Sequence, residues 1–391
     1  MSQSLMADGR VLIVQGRRVI VAGSTAKAAD MLDIPSAATL HHMLGLSGGR
    51  YRPCISNALN VFIDLADVII VNEYSMAAAE LLEAAHCRCI EAAQHGERQF
   101  SIFAGKKVIL CGDPHQLPAV CRRCKGDDCP HQPYRWQHFA AFRSVPLVTN
   151  VRQAGDEEFA ELLFRMRTSL PTAADLQVLA ARVVRPPIAM PEEAIIVAGL
   201  NSEVRLYNRQ QLQAHHPAGV TEVAAAHTFR SSTLTAAQQA DVIASLEHRC
   251  TLPSHLNFAA NSPAICIRNL RNTLYNGARL TVLQLAGDRL RVRLPGGTET
   301  TISRVDESQL FGHGMVTRSQ FPVLCSYART VHRVQGETFQ VPVYIDPTSF
   351  QQPGQGYVAL SRAKTLSKVF FVLAEGQQLE AAMFTPHVPQ H

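Results

Sequence analysis

At 391 residues the chain is too long for one ordinary domain and suits two or three; 47% hydrophobic and 18% charged residues, with no low-complexity stretch, describe a globular protein. A formal charge of +5 permits a polyanionic partner without demanding one. No apolar run approaches the roughly twenty residues of a membrane span, and the start, MSQSLMADGR, lacks a signal-peptide pattern. The ten cysteines therefore read as reduced thiols of a nuclear or cytoplasmic protein.

Taken in chain order, the recurrent signal is a short apolar run that stops in small or polar residues. Val19 to Ala22 runs into Gly23-Ser24-Thr25, Val68 to Val71 into Asn72-Glu73, and Val108 to Cys111 into Gly112-Asp113. Helical stretches follow at Met76 to Ala93 and Asp156 to Met166. The pattern resumes with Ile195 to Ala198 and with Val341 to Ile345, which meets Asp346. Runs this short, without alternation, predict strands covered on both faces, and their alternation with helices predicts an α/β fold with mostly parallel sheets. Ligands of such sheets bind beyond the carboxyl ends of the strands, where these polar residues lie. Leu280 to Leu285 and Leu290 to Leu294, joined by Ala286-Gly287-Asp288 and followed by Pro295-Gly296-Gly297 and TETTIS, predict a small antiparallel β-rich insert at about 270–315. A domain boundary is expected near Thr168 to Ala173, giving domains 1–168 and 169–391.

Several strings at the strand ends carry chemistry. Asn72-Glu73-Tyr74-Ser75-Met76 stands where phosphate-hydrolysing motors hold magnesium and position water; by itself it reads more readily as a helix start with an acidic first turn. Gly112-Asp113-Pro114-His115-Gln116-Leu117-Pro118-Ala119-Val120 predicts a tight loop carrying an amide, Gln116, able to sense a phosphate or water. Cys121, Cys124, Cys129 and His131, in CRRCKGDDCPH, have the residue types of a structural zinc site, although one residue between Cys129 and His131 is an awkward spacing and a solvated basic loop is the alternative. In Asn150-Val151-Arg152-Gln153, Arg152 would pair bidentately with phosphate oxygens or make a surface ion pair with Asp156 or Glu157. Two longer strings, SYARTVHRVQGETF from Ser326 to Phe339 and GYVALSRA from Gly356 to Ala363, complete the set.

These two strings resemble helicase motifs V and VI of the PIF/RecD-like superfamily 1 DNA helicases, close to PIF-type and Helitron-type enzymes. GDPHQLPAV resembles motif III, VRQAGDEEFAELLFRMR motif IV, VIIVNEYSM motif II, and VAGSTAKAAD with TLHHMLGL motif Ia. LPSHLNFAANSPAICIRNLRNTLYNGARLTV resembles the stretch leading into the family's small β insert. The resemblance spans nearly the whole chain in the family's order. It implies two RecA-like domains, the second with an SH3-like insert, and an ATP- and Mg2+-dependent 5′-to-3′ DNA helicase acting on single-stranded or forked DNA. Replication, repair, recombination or telomere maintenance would be its setting, and a monomer its form. Residue by residue, it implies that Glu73 activates the hydrolytic water and Gln116 senses the γ-phosphate. Arg152 and Arg362 contact phosphates, Arg362 as an arginine finger from the second domain. Asn72, Asp113, Gly336 and Glu337 fall at cofactor positions. Thr25, Lys27, His41, His332, Gln335 and Thr338 are candidates for touching the single strand, although Thr39 and His41 would equally cap the helix that follows.

The sequence departs from the family pattern twice. No Gly-x-x-x-x-Gly-Lys-Ser/Thr string occurs in these residues. Setting VIVAG on the family's strand places Ser4 to Gln15 on the helix that follows the phosphate loop, with Met1 and Ser2 at its Lys-Ser pair. Motif II has Asn72 in place of aspartate, losing a charge that draws magnesium. Weak ATP hydrolysis by this chain is the expectation. The alternatives are a non-enzymatic single-stranded nucleic-acid-binding remnant, or an active helicase whose true N-terminus was missed in gene prediction.

Overall fold

The structure, a computed structural model, describes residues 3–5, 12–34, 36–46, 53, 56–93, 96–119, 121, 129–188, 190–230, 234–270, 274–312 and 314–389. By packing, the chain falls into two units: Met1–Arg185 with Val334–Gln340 and Phe350–His391, and Pro186–Arg333 with Val341–Ser349. This grouping cuts the chain differently from a boundary at 168/169, because residues 350–391 pack with the first unit.

The first unit is built on β1 (Gln3–Leu5), β2 (Leu12–Val14), β3 (Arg17–Gly23), β4 (Ala38–Thr39), β5 (Val68–Asn72) and β6 (Lys107–Cys111), in the order β1-β2-β3-β5-β6 with β4 beside β3. The ladders of β3 with β4 and β5, and of β5 with β6, are parallel, whereas β1, β2 and β3 form an antiparallel meander. The helix expected from Ser4 to Gln15 is therefore overturned where the residues are described: strands flank the turn at Gln15-Gly16, both at positive φ, which a helix does not accommodate. Residues 1–2, where the Lys-Ser pair would fall, lie outside the described residues.

Burial on both faces holds for β3. Ile20 and Ala22 face a core with Leu40, Ile63, Leu82 and Cys89, while Val19 and Val21 pack with Val68 on the other side. It fails for β6, the outermost strand, where Val108 and Leu110 lean on the core and Ile109 remains 48% exposed. The helices are α1 (Ala26–Asp30), α2 (Leu40–Met43), α3 (Asn57–Leu65), α4 (Ala79–Ala92), α5 (Glu157–Met166) and α6 (Ala173–Ala180), followed by β7 (Val183–Val184). Hydroxyl or carboxylate caps start five of them: Thr25, Thr39, Ser56, Asp156 and Thr172 each accept a first-turn N–H. The helix expected from Met76 begins instead at Ala79, because Tyr74–Met76 form a 3-10 turn behind Glu73, which sits at φ 54°.

In the second unit β8 (Ile195–Ala198), wholly buried, precedes α7 (Asn201–His215). Then come β9 (Thr221–Ala224), β10 (Ala226–Phe229), α8 (Ala236–Arg249), β11 (His255–Phe258), β12 (Pro263–Cys266), β13 (Arg279–Ala286), β14 (Arg289–Arg293), β15 (Glu299–Ser303), β16 (Val305–Phe311), β17 (Gly314–Gln320) and β18 (Val323–Cys325). The expected antiparallel region is present and wider than 270–315: β15-β14-β13-β12-β18 form one sheet, β10-β17-β16 a second, and β9 pairs with β11. After β19 (Ala328–Thr330) and α9 (Val331–Val334), β20 (Val343–Asp346) lies parallel to β8 on the side opposite β19. The chain then returns to the first unit with α10 (Gln355–Leu360) and β21 (Val369–Val372), which pairs in parallel with β7.

Candidate nucleotide and single-strand site

The site lies within the first unit, at the carboxyl ends of β3, β5 and β6, and its centre is the sharp turn at Glu73. A left-handed conformation at a non-glycine residue costs about 1–3 kcal/mol and needs its surroundings to hold it. Two glycines do so by close approach. At Gly112, after β6, a Cβ would come within 3.1 Å of the Tyr74 nitrogen. At Gly336, with φ +81°, a Cβ would lie 2.7 Å from Met31 Sδ and 3.4 Å from Glu73 Oε1. The strings around residues 73, 112 and 336 thus meet at one point. Glu73 Oε2 and Gln116 Oε1 are buried without a hydrogen-bond partner among the described residues.

The arginines approach from α10 and the segment before α5. Arg362 is fully buried. Its Nε donates to the Val358 carbonyl at 2.8 Å, Nη1 to the Glu337 carbonyl at 3.2 Å, and Nη2 to Ser361 Oγ at 2.7 Å. Burial, then the charge of Arg152, pulls its pKa down to about 10, while Glu73 acts in the opposite sense. Arg152 donates to the Ser361 carbonyl at 3.1 Å, and burial lowers its pKa too. The surface ion pair considered for Arg152 is not what it makes, since Asp156 caps α5 and accepts the Leu366 N–H at 2.8 Å.

Asp113 is engaged by protein. Arg167 donates to its Oδ1 from Nε at 3.1 Å and Nη2 at 2.8 Å, the His115 N–H adds a bond at 3.0 Å, and the Tyr357 hydroxyl donates to Oδ2 at 3.0 Å. Burial alone would raise its pKa, but Arg167 and the two other donors hold the carboxyl below the ordinary aspartate range. Asn72 is engaged as well, its Nδ2 donating to the Ala28 carbonyl at 3.0 Å.

The candidates for single-strand contact divide. Lys27 on α1 is ion-paired with Glu337. Thr25 caps α1, accepting the Ala28 N–H at 3.1 Å. His41 is half-buried on α2, which Thr39 caps, and burial lowers its pKa. Gln335 is 4% exposed with both amide atoms unpartnered among the described residues, whereas Thr338 is exposed. His332, half-buried on α9, belongs to the second unit and is not among the residues gathered around Glu73.

Three members of the site were not singled out in the sequence. Gln153, 3% exposed, donates to the Ala363 carbonyl at 2.7 Å, and Tyr357 and Arg167 grip Asp113. All three fall inside the motif strings; the signal for Gln153 was its place beside Arg152 in a loop held by two polar side chains.

The zinc expectation is not supported. Cys124 lies outside the described residues, and among the described residues no three His, Cys, Asp or Glu side chains gather as a metal site. His131 pairs with Glu80 on α4 instead. No helix among the described residues is long and apolar enough to cross a membrane.

Known proteins resemble this chain in sequence and in fold. The model of the PIF1-like helicase family matches residues 14–169, beginning at the end of β2. The human ATP-dependent DNA helicase PIF1 is 27% identical over 350 residues, covering 84% of this chain and 50% of the human protein. The Pif1 helicase of Bdellovibrio bacteriovorus is 26% identical over 362 residues, covering 88% and 76%. The chain thus spans half the length of the human relative and three-quarters of the bacterial one. Among solved structures, Bacteroides Pif1 bound to single-stranded DNA superposes with a TM-score of 0.72 at 22% identity, over 95% of this chain and 85% of that one. Candida albicans Pif1 follows at 0.66 and 20%, over 94% and 86%; these two likenesses establish the RecA-like fold. Motif order, fold and curated relatives converge: residues 14–169 match the PIF1-like helicase family, and the chain as a whole is similar to the Pif1 helicases.

Proposed function

We propose that this chain is the core of an ATP-dependent DNA helicase that engages single-stranded DNA and moves 5′-to-3′, and that these 391 residues by themselves bind the strand better than they hydrolyse nucleotide. The observation that carries it is the gathering of Glu73, Arg152 and Arg362 around one turn, from three motifs spread along the chain. Bacteroides Pif1 has been solved with single-stranded DNA and ADP-AlF3, which supports the same pair of ligands here. In this reading Glu73 orients the water and Gln116 reports the terminal phosphate. Arg152 and Arg362 face the phosphates after exchanging their backbone acceptors for phosphate oxygens. Thr25, Lys27, His41 and Thr338 would line the strand's path, where contacts to backbone phosphate give affinity without sequence preference. We keep domains 1–168 and 169–391 as the division of this core.

Magnesium does not fit the residues present. Asn72 offers an amide already donating to Ala28, and Asp113 is held by Arg167 and Tyr357. The same observation favours a second reading, a single-strand-binding module without turnover. Anisotropy of a labelled oligo(dT), titrated with the chain at low salt with and without ATP, tests both. Binding that ATP weakens or tightens supports the helicase core, and binding indifferent to ATP supports the module. If no binding occurs at low salt, both readings are wrong.

A further inference from the structure

Where the helicase pattern has an aspartate, Asn72 has another job. Ala28, whose carbonyl accepts from Asn72 Nδ2, stands in the short helix α1, near the end where carbonyls lose their intrahelical partners. Leu32, whose N–H would take that carbonyl in a longer helix, donates to Ala29 instead. The Asn72 main chain joins the same seam, accepting the Ser24 N–H at 3.0 Å and standing in register with Gly23. On the other side α1 rests so closely on Gly23 that a Cβ there would lie 2.2 Å from the Ala29 nitrogen. The helix is thus located by backbone contact and by one side-chain amide. A carboxylate of the same shape has no proton to donate; it would set a negative oxygen against a carbonyl at the negative end of the helix.

We propose that Asn72 is a positioning residue: its amide fixes α1, and with it Thr25 and Lys27, at the carboxyl edge of the sheet, in the place of a metal ligand. The consequence for the strand rests on reading α1 as part of the single-strand path. Asn72→Asp then undoes a lock and restores no metal site.

The test compares Asn72→Asp and Asn72→Ala in the full chain. It follows amide exchange across residues 26–31 against α4 as internal reference, oligo(dT) affinity, and binding of Mn2+ as the metal probe. We expect exchange in α1 to quicken by about 10-fold in Asn72→Ala and by more in Asn72→Asp. Oligo(dT) affinity falls in the same order, and Asn72→Asp gains no Mn2+ binding. Collapse of the aspartate variant alone is that order in its severest form. A role in packing only would leave the isosteric aspartate nearer the parent than alanine. That result, or parent-like exchange in Asn72→Ala, or Mn2+ binding gained by Asn72→Asp, overturns the proposal. If the parent chain does not bind oligo(dT), the single-strand reading fails, while the exchange order still decides the lock.

Discussion

The two halves of the site, arginine and carboxylate, have fared differently. On the arginine side, Arg152, Gln153 and Arg362 converge on the Ser361–Ala363 turn, where they donate to backbone carbonyls and to the Ser361 hydroxyl. On the carboxylate side, Asn72 is tied to Ala28 and Asp113 to Arg167, while Glu73 and Gln116 each keep a buried oxygen without a partner among the described residues. Buried acceptors left in this way are expensive and mark a place that a further group completes. The lesson is that the same motif strings can hold a satisfied cluster and an unfinished one side by side.

Substitutions separate the halves. The largest effect is expected at Arg362→Ala, which empties a fully buried site and removes the guanidinium's bonds to the Val358 and Glu337 carbonyls; about 3 kcal/mol or more should be lost in urea unfolding. A loss below about 1 kcal/mol would mean that the arginine cluster is not structural. Next, Asp113→Asn should cost about 2 kcal/mol near neutral pH by weakening the Arg167 pair. Because the folded carboxyl is depressed, its contribution is present above the ordinary aspartate range and lost as pH falls through the folded value. The gap between parent and variant should therefore close in acid, and a gap constant with pH contradicts the assignment. Gly336→Ala should cost about 1–2 kcal/mol for the positive φ, with Met31 displaced; thermal melting reads it. Smallest is Lys27→Ala, expected to lower oligo(dT) affinity a few-fold and the salt slope by about one, in anisotropy across a salt series. An unchanged slope removes Lys27 from the strand's path.

Much of this was legible in the sequence for a local reason. Apolar runs ending in small polar residues foretold β3, β5 and β8, and Thr39 and Asp156 foretold the starts of α2 and α5. What failed depended on neighbours distant in the chain. The run at Val108 looked like β3, yet β6 is outermost in its sheet and leaves Ile109 exposed, which no local pattern records. A helix from Ser4 to Gln15 follows from the family's motif order alone, against the turn signal of Gln15-Gly16. Gln335, a candidate for touching the strand, is 4% exposed, a burial its motif string does not record. The charge change at Asn72 could be read, whereas its bond to Ala28 required the register of β3 on β5.

The most direct trial of the account is steady-state ATP turnover by the 391-residue chain while oligo(dT) is titrated to saturation. Strand binding that saturates while turnover stays at background is the predicted result. Turnover that climbs with the bound strand to the order of 1 per second or more would contradict it, because it would require these residues to grip the nucleotide's phosphates unaided.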